Sequence, residues 1–214
     1  MKVVEVTVAA PVGVVWQALR DPVQIRRWHG WEYDDLDEEI RQIFIDAPSV
    51  SDADKTLDTG DGRFELEERG EQTEVRIVRA APAGEYDAIN EGWLTFVHQL
   101  RFSLERQPGQ DRRTVYLSGA RSLVEQLGLA DVDGLAEGER YEAAADTGDH
   151  LTGTVWMRSE HQLGLTVDDW GEGLLMLSDS AAILSTFGLD EGSREALAER
   201  WSRWWSEHHD PAVS

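Results

Sequence analysis

The residues with types and spacing suited to chemistry fall in three short stretches. Trp28-His29-Gly30-Trp31-Glu32-Tyr33 is the densest aromatic cluster and carries a histidine. It suits the rim of a pocket, with His29 presented to a ligand near the mouth. A packed corner where two short helices meet a sheet accounts for the same residues. His98 directly follows Val97, and Arg101 comes one helical turn later. Together they could give polar handles inside a mostly apolar cavity; the alternative is a half-exposed histidine on a helix flank. Trp156 and Arg158 share a face if Thr154, Trp156 and Arg158 alternate along a strand, and Glu160 and His161 follow them. An inward arginine beside a tryptophan would suit a carboxylate-bearing ligand, whereas an exposed strand face would leave it in water.

Other chemistries fail on spacing. The chain has no cysteine, which excludes disulfides, thiolate metal sites and a cysteine nucleophile. It contains no dinucleotide fingerprint, no P-loop and no nucleophile elbow. Asp131-Val132-Asp133-Gly134 and Asp58-Thr59-Gly60-Asp61-Gly62 lack the remaining ligands of a calcium loop. His208 and His209 are adjacent on a helix end and point in different directions, so they do not make a chelate with Asp210. The expectation is a chain with no cofactor and no metal.

These residues must be positioned by regular elements, and the chief one is Ile89 to Arg106. Trp93, Phe96, Val97, Leu100 and Leu104 recur at three- and four-residue steps, which predicts one long amphipathic helix. Asn90 is the expected N-cap, and Pro108-Gly109 stops the helix. Five large apolar side chains at about 2 kcal/mol each need an apolar cover, and the strands that precede the helix make a curved sheet the expected one. Val3 to Val8 alternates as a strand with one buried face. Short helices follow near Val14 to Leu19 and Val23 to Trp28, the second closed by Gly30 in a left-handed turn. The β-branched content of Glu39 to Asp46 predicts a strand, and Ala47 to Gly62 reads as a polar loop or an irregular edge. Phe64 to Glu68 and Val75 to Val78 form a hairpin across Gly70-Glu71.

A comparable order begins again after Pro108. Thr114 to Leu117 reads as a strand and Ala120 to Leu129 as a helix. Tyr141 to Ala145, Thr152 to Arg158, Gln162 to Val167, Gly173 to Leu177 and Ala182 to Phe187 read as strands. The final helix carries Leu197, Trp201, Trp204, Trp205 and His208 as a stripe of core or inter-half packing. The expected organisation is two related halves, 1–108 and 109–214, joined at the short stretch Gln107 to Arg113.

The formal net charge is −22, from 42 acidic and 20 basic residues. That opposes binding to a nucleic-acid backbone or an anionic membrane. It fits a solubilising surface, with salt adaptation as the sharper alternative. No stretch approaches the ~18 apolar residues of a membrane span, and the N-terminus lacks the apolar run of a signal peptide. A cytoplasmic protein is expected.

Val8-Ala9-Ala10-Pro11, then Val15-Trp16-Gln17-Ala18-Leu19-Arg20-Asp21-Pro22 and Arg27-Trp28, resembles the opening of the START-like, or SRPBCC, superfamily. It looks most like the branch named for the activator of Hsp90 ATPase homologue. Gly92-Trp93, Leu100 and Leu104-Glu105 are similar to that branch's closing helix. The resemblance covers about the first half of the chain. It implies a helix-grip fold, in which an antiparallel sheet curls around one long helix and leaves a cavity between them. Lipid carriers, hydrophobic-ligand binders, cyclases and co-chaperone-like proteins share that fold, so the fold alone does not give the function. About sixty residues separate Trp31 from Glu91, room for about three strands, fewer than the family usually has. Either the grip is truncated or the second half completes it.

The expectation is therefore an α+β helix-grip protein that binds a small hydrophobic ligand between sheet and long helix without catalysis. The candidate ligand-binding residues are Trp28, His29, Trp31, Tyr33, Trp93, Val97, His98, Arg101, Trp156 and Arg158. A protein-interaction role, with a chaperone-type partner or a homodimer, is one alternative. A cyclase- or hydrolase-type enzyme using His29 or His98 is the other.

Overall fold

A computed structural model of the chain describes residues 2–46, 49–80, 86–119, 127–132 and 134–208. The chain is α+β and divides into two units, 1–111 and 112–214. Each unit follows one plan: a first strand, a meander of antiparallel strands whose last member pairs back onto the first, and a long closing helix.

In the first unit, β1 (Lys2–Val8) leads into α1 (Val12–Arg20) and α2 (Pro22–Arg26). Then come α3 (Leu36–Ile40), β2 (Ser49–Ser51), β3 (Thr56–Asp58), β4 (Arg63–Arg69), β5 (Gln72–Arg79) and α4 (Ala88–Glu105). The sheet order is β1-β5-β4-β3-β2, with every pair antiparallel. Its strands all come from the first unit, so among the described residues the second half does not complete it. Among the described residues four strands fit between Trp31 and the long helix, because the stretch expected to be a loop or an irregular edge folds in part as the β2–β3 hairpin at the edge of the sheet. Trp16 explains why this polar segment is held: its indole N–H donates to Asp52 at 2.7 Å, and the Lys55 ammonium sits 5.2 Å from its ring centroid.

Val4, Val6 and Val8 of β1, Phe64 of β4 and Val75 and Ile77 of β5 form one core with Trp93, Val97 and Leu100 of α4. Phe96 and Leu104 are partly buried against it. This is the predicted apolar stripe, seated on the sheet. The N-cap is Asp87, not Asn90: its carboxylate accepts from the amides of Ile89 and Asn90 at 3.1 and 3.2 Å and from Arg79 at 2.9 Å. An anionic cap tied to a buried arginine starts the helix earlier than the neutral asparagine would.

Glu39 to Asp46 is not a strand. α3 ends at Ile40 and the chain continues as a π-turn over Arg41–Ile45, where the Asp46 amide donates to the Arg41 carbonyl at 2.8 Å. Leu36, Ile40 and Phe44 are four residues apart and all buried. Glu38 accepts from Arg41 and Gln42 on the solvent side. The helical spacing of the buried residues overrides the β propensity of three isoleucines.

In the second unit, β6 (Arg112–Ser118) is followed by β7 (Arg140–Ala144), β8 (His150–Arg158), β9 (Gln162–Val167), β10 (Gly173–Ser178), β11 (Ala181–Phe187) and α5 (Glu191–His208). The order is β6-β11-β10-β9-β8-β7. Most of the helix expected over Ala120 to Leu129 lies outside the described residues. Leu197, Trp201, Trp204 and Trp205 of α5 pack into the core of this unit. Their polar atoms are met: the Trp201 N–H donates to Asp149 at 2.8 Å and the Trp205 N–H to the Ser118 carbonyl at 2.8 Å. Asp149 also accepts from Arg200 and Thr147. Among the described residues, no helix is long and apolar enough to cross a membrane.

Candidate functional site

The site begins with a helix end. Asp21 caps α2 by accepting from the Val23 amide at 2.9 Å, and Pro22 takes the first turn, where no amide is missed. The helix closes as the amides of Trp28 and His29 donate to the Ile25 carbonyl at 3.0 and 2.8 Å. Gly30 then takes a φ of 60°, a left-handed conformation that costs a side-chain-bearing residue about 1–2 kcal/mol. That turn fixes Trp28 and His29 inward and sends Trp31 to Tyr33 back along the surface toward α3. The Trp28 N–H donates to the Ala18 carbonyl at 2.9 Å, which locks the corner to α1.

His29 is 1% exposed. Its ring lies 4.8 Å from Phe96, 4.9 Å from Phe44, 5.6 Å from Trp28 and 6.2 Å from Trp93, centroid to centroid. Phe64 extends the group, 5.2 Å from Trp93 and 6.2 Å from Phe44. Burial of an imidazole among rings is tolerated when its polar atoms are bonded, and here Nε2 meets the Glu39 Oε1 at 2.7 Å. The other oxygen of Glu39 accepts from the Tyr33 hydroxyl. A buried imidazole, a half-buried carboxylate and an exposed phenol thus form one chain from the aromatic nest to solvent. The bond from His29 holds the Glu39 carboxyl below its usual range, aided by Tyr33. Burial and the bond to Glu39 push the Tyr33 phenol above its own.

The sequence-predicted residues separate into groups. Trp28, His29 and Trp93 meet in this nest, and Val97 lies further along the same face of α4 in the core. Trp31 and Tyr33 pair at 6.2 Å at its outer side. His98 is buried on α4, and burial, with Arg101 nearby, pushes it down to about 4. Arg101 bonds Glu105 at 3.2 Å, and Glu105 accepts from the Ala9 amide at 2.7 Å, so this arginine belongs to a tie between α4 and the end of β1.

Trp156 and Arg158 lie in the second unit. The pairing of β8 with β9 shifts register between Val155 and Met157, so Trp156 sits in a β-bulge and simple alternation with Arg158 fails there. The Arg158 guanidinium donates to the carbonyls of Val132 at 2.8 Å and Leu135 at 3.2 Å, holding these two residues against the strand. His161 bonds Asp179 at 3.0 Å. His208 stacks on Trp204 at 4.4 Å; His209 and Asp210 lie outside the described residues. Among the described residues no group of three or more acidic or histidine side chains is placed to hold a metal.

Glu39, Phe44 and Phe64 complete the nest and were not among the predicted site residues. The signal for the first two was the four-residue spacing of Leu36, Ile40 and Phe44, which makes a helix and carries Glu39 to His29. Phe64 was visible only as a strand residue.

No protein-family model matches the chain, and no curated protein matches it. Three solved structures are similar along almost all of it. DynU16, a protein of the dynemicin biosynthetic locus, is 16% identical with a TM-score of 0.32, over 95% of this chain and 94% of the other. The di-domain ARO/CYC StfQ of the steffimycin pathway is 11% identical with a TM-score of 0.35, over 94% and 91%. The di-domain ARO/CYC BexL of the BE-7585A pathway is 12% identical with a TM-score of 0.35, over the whole of both chains. Superposition this loose leaves the fold to be read from the chain's own strand pairing.

Proposed function

We propose that the first unit binds a small hydrophobic ligand without catalysis, between its sheet and α4, at the end where His29 meets Trp93 and Phe96. The observation that supports this is the imidazole, 1% exposed and ringed by aromatic side chains, with its polar link running out through Glu39 and Tyr33. Mostly apolar walls with a few fixed polar groups are the usual make-up of a hydrophobic-ligand site. The test uses N-phenyl-1-naphthylamine, a neutral probe that fluoresces in apolar surroundings. Wild-type protein should enhance its emission saturably, and Val97→Trp, which puts a larger side chain between α4 and the sheet, should abolish that with the circular dichroism unchanged. Equal enhancement by both proteins would place the ligand elsewhere. Native mass spectrometry before and after denaturation would then identify a co-purified ligand.

A second reading has one observation in its favour: the Glu39 carboxylate bonded to the His29 imidazole is the arrangement of an oriented general base. It predicts hydrolysis of p-nitrophenyl acetate above the buffer rate, lost in His29→Ala. Identical rates for both proteins would count against it.

A further inference from the structure

The sheet of the first unit is held unevenly across its width. β1 with β5, and β5 with β4, pair over seven residues each, whereas β3 pairs over three with β4 and over three with β2. Within 49–58 only Leu57 is buried. It stands opposite Phe64 on β4, whose ring lies 5.2 Å from Trp93 and 6.2 Å from Phe44. The β2–β3 hairpin is therefore an edge flap beside the aromatic nest, seated by one apolar side chain. Few buried contacts and short pairing are the features of a segment that opens by itself.

The tip of the flap is tied to a fixed post. Trp16 is 7% exposed and belongs to the core. Its indole N–H donates to Asp52 at 2.7 Å, and the Lys55 ammonium sits 5.2 Å from its ring centroid. The Lys55 carbonyl accepts from the Leu66 amide at 3.1 Å. Against these ties, Lys55 has a φ of 53°, a left-handed conformation that a side chain disfavours, so release of the tip relieves it. Asp52 is exposed, and its bond can break without disturbing the core. We propose that the β2–β3 hairpin is the gate of the site, latched on Trp16 and opening while β4, β5 and β1 stay paired. The gate rests on the binding reading above. A gate sets how fast a ligand passes, so it changes association and dissociation by one factor and leaves the affinity in place.

The chain has no cysteine, so Thr56→Cys with Glu65→Cys places a single pair across β3 and β4. Residues directly opposite in an antiparallel pair lie about 4.5–5.5 Å apart at Cα, within reach of a disulfide. Both positions alternate with Leu57 and Phe64 and so face away from the core. The oxidised and reduced forms of this variant are compared by stopped-flow binding of N-phenyl-1-naphthylamine. Oxidation should slow association and dissociation at least about tenfold at the same Kd, and Asp52→Ala, which cuts the latch, should speed both. Equal rates for the two redox forms, or a changed Kd with association unaltered, would overturn the gate. Hydrogen exchange without ligand reads the opening itself: Asp52→Ala should accelerate 49–58 and leave 64–78 unchanged. No acceleration, or acceleration of both segments together, would overturn the separate opening. No emission enhancement by any of these proteins would overturn the binding reading and the gate with it, while the exchange result would still decide whether the hairpin opens.

Discussion

His98 sets a pH dependence that can be worked through. Burial, and secondarily Arg101, pushes its imidazole down to about 4 from the ordinary 6.5. In the unfolded chain the ring takes up a proton near 6.5; in the folded chain it stays neutral until about 4. Between those values the unfolded state binds more protons, so stability is full above about pH 6.5 and falls as the pH drops toward 4. At 1.36 kcal/mol per pKa unit the whole window is worth about 3 kcal/mol, and about 2 kcal/mol is already lost at pH 5. The substitution is His98→Gln, which keeps a polar side chain and removes the titration. The assay is urea unfolding followed by tryptophan fluorescence at constant ionic strength, at pH 7.5 and pH 5. The wild type should lose about 2 kcal/mol more than the variant between the two, whatever the variant costs at pH 7.5. Equal losses in both proteins would refute the reasoning, since every other titrating group is common to them.

Asp149→Ala removes the acceptor of the Trp201 indole, which is fully buried, and of Arg200 and Thr147. It should destabilise the second unit by about 2–4 kcal/mol, and an unchanged thermal midpoint would show that α5 is held by packing alone. A Cβ at Gly153 would lie 1.9 Å from the Thr166 carbonyl oxygen, on backbone that cannot swing aside. Gly153→Ala should therefore cost about 3 kcal/mol or prevent folding of this unit, whereas Gly13→Ala, with open space around it inside α1, should raise stability by about 0.5–1 kcal/mol. The reverse order in thermal melts would contradict the close approach of β8 and β9.

Elements whose signal is local and periodic were legible in the sequence. The α4 stripe, the alternation of β1, the Gly70 hairpin and the left-handed Gly30 each depend on spacing within one segment. The lack of cysteine likewise excluded disulfides and thiolate chemistry without any structure. What the sequence left open depended on pairing across distance. Glu39 to Asp46 carries isoleucines that favour a strand in isolation, and only the burial of Leu36, Ile40 and Phe44 against the sheet and α4 decides for a helix and a π-turn. The partner of His29 followed from that decision, since a strand there would have sent Glu39 elsewhere. The cap of α4 went to Asp87 because Arg79, eight residues back on another element, anchors it. Trp156 lost its alternation with Arg158 to a bulge that exists only in the pairing of β8 with β9. Composition and periodicity determined which faces are apolar; tertiary packing decided which polar groups meet, because a buried polar atom must find its partner wherever the fold brings one.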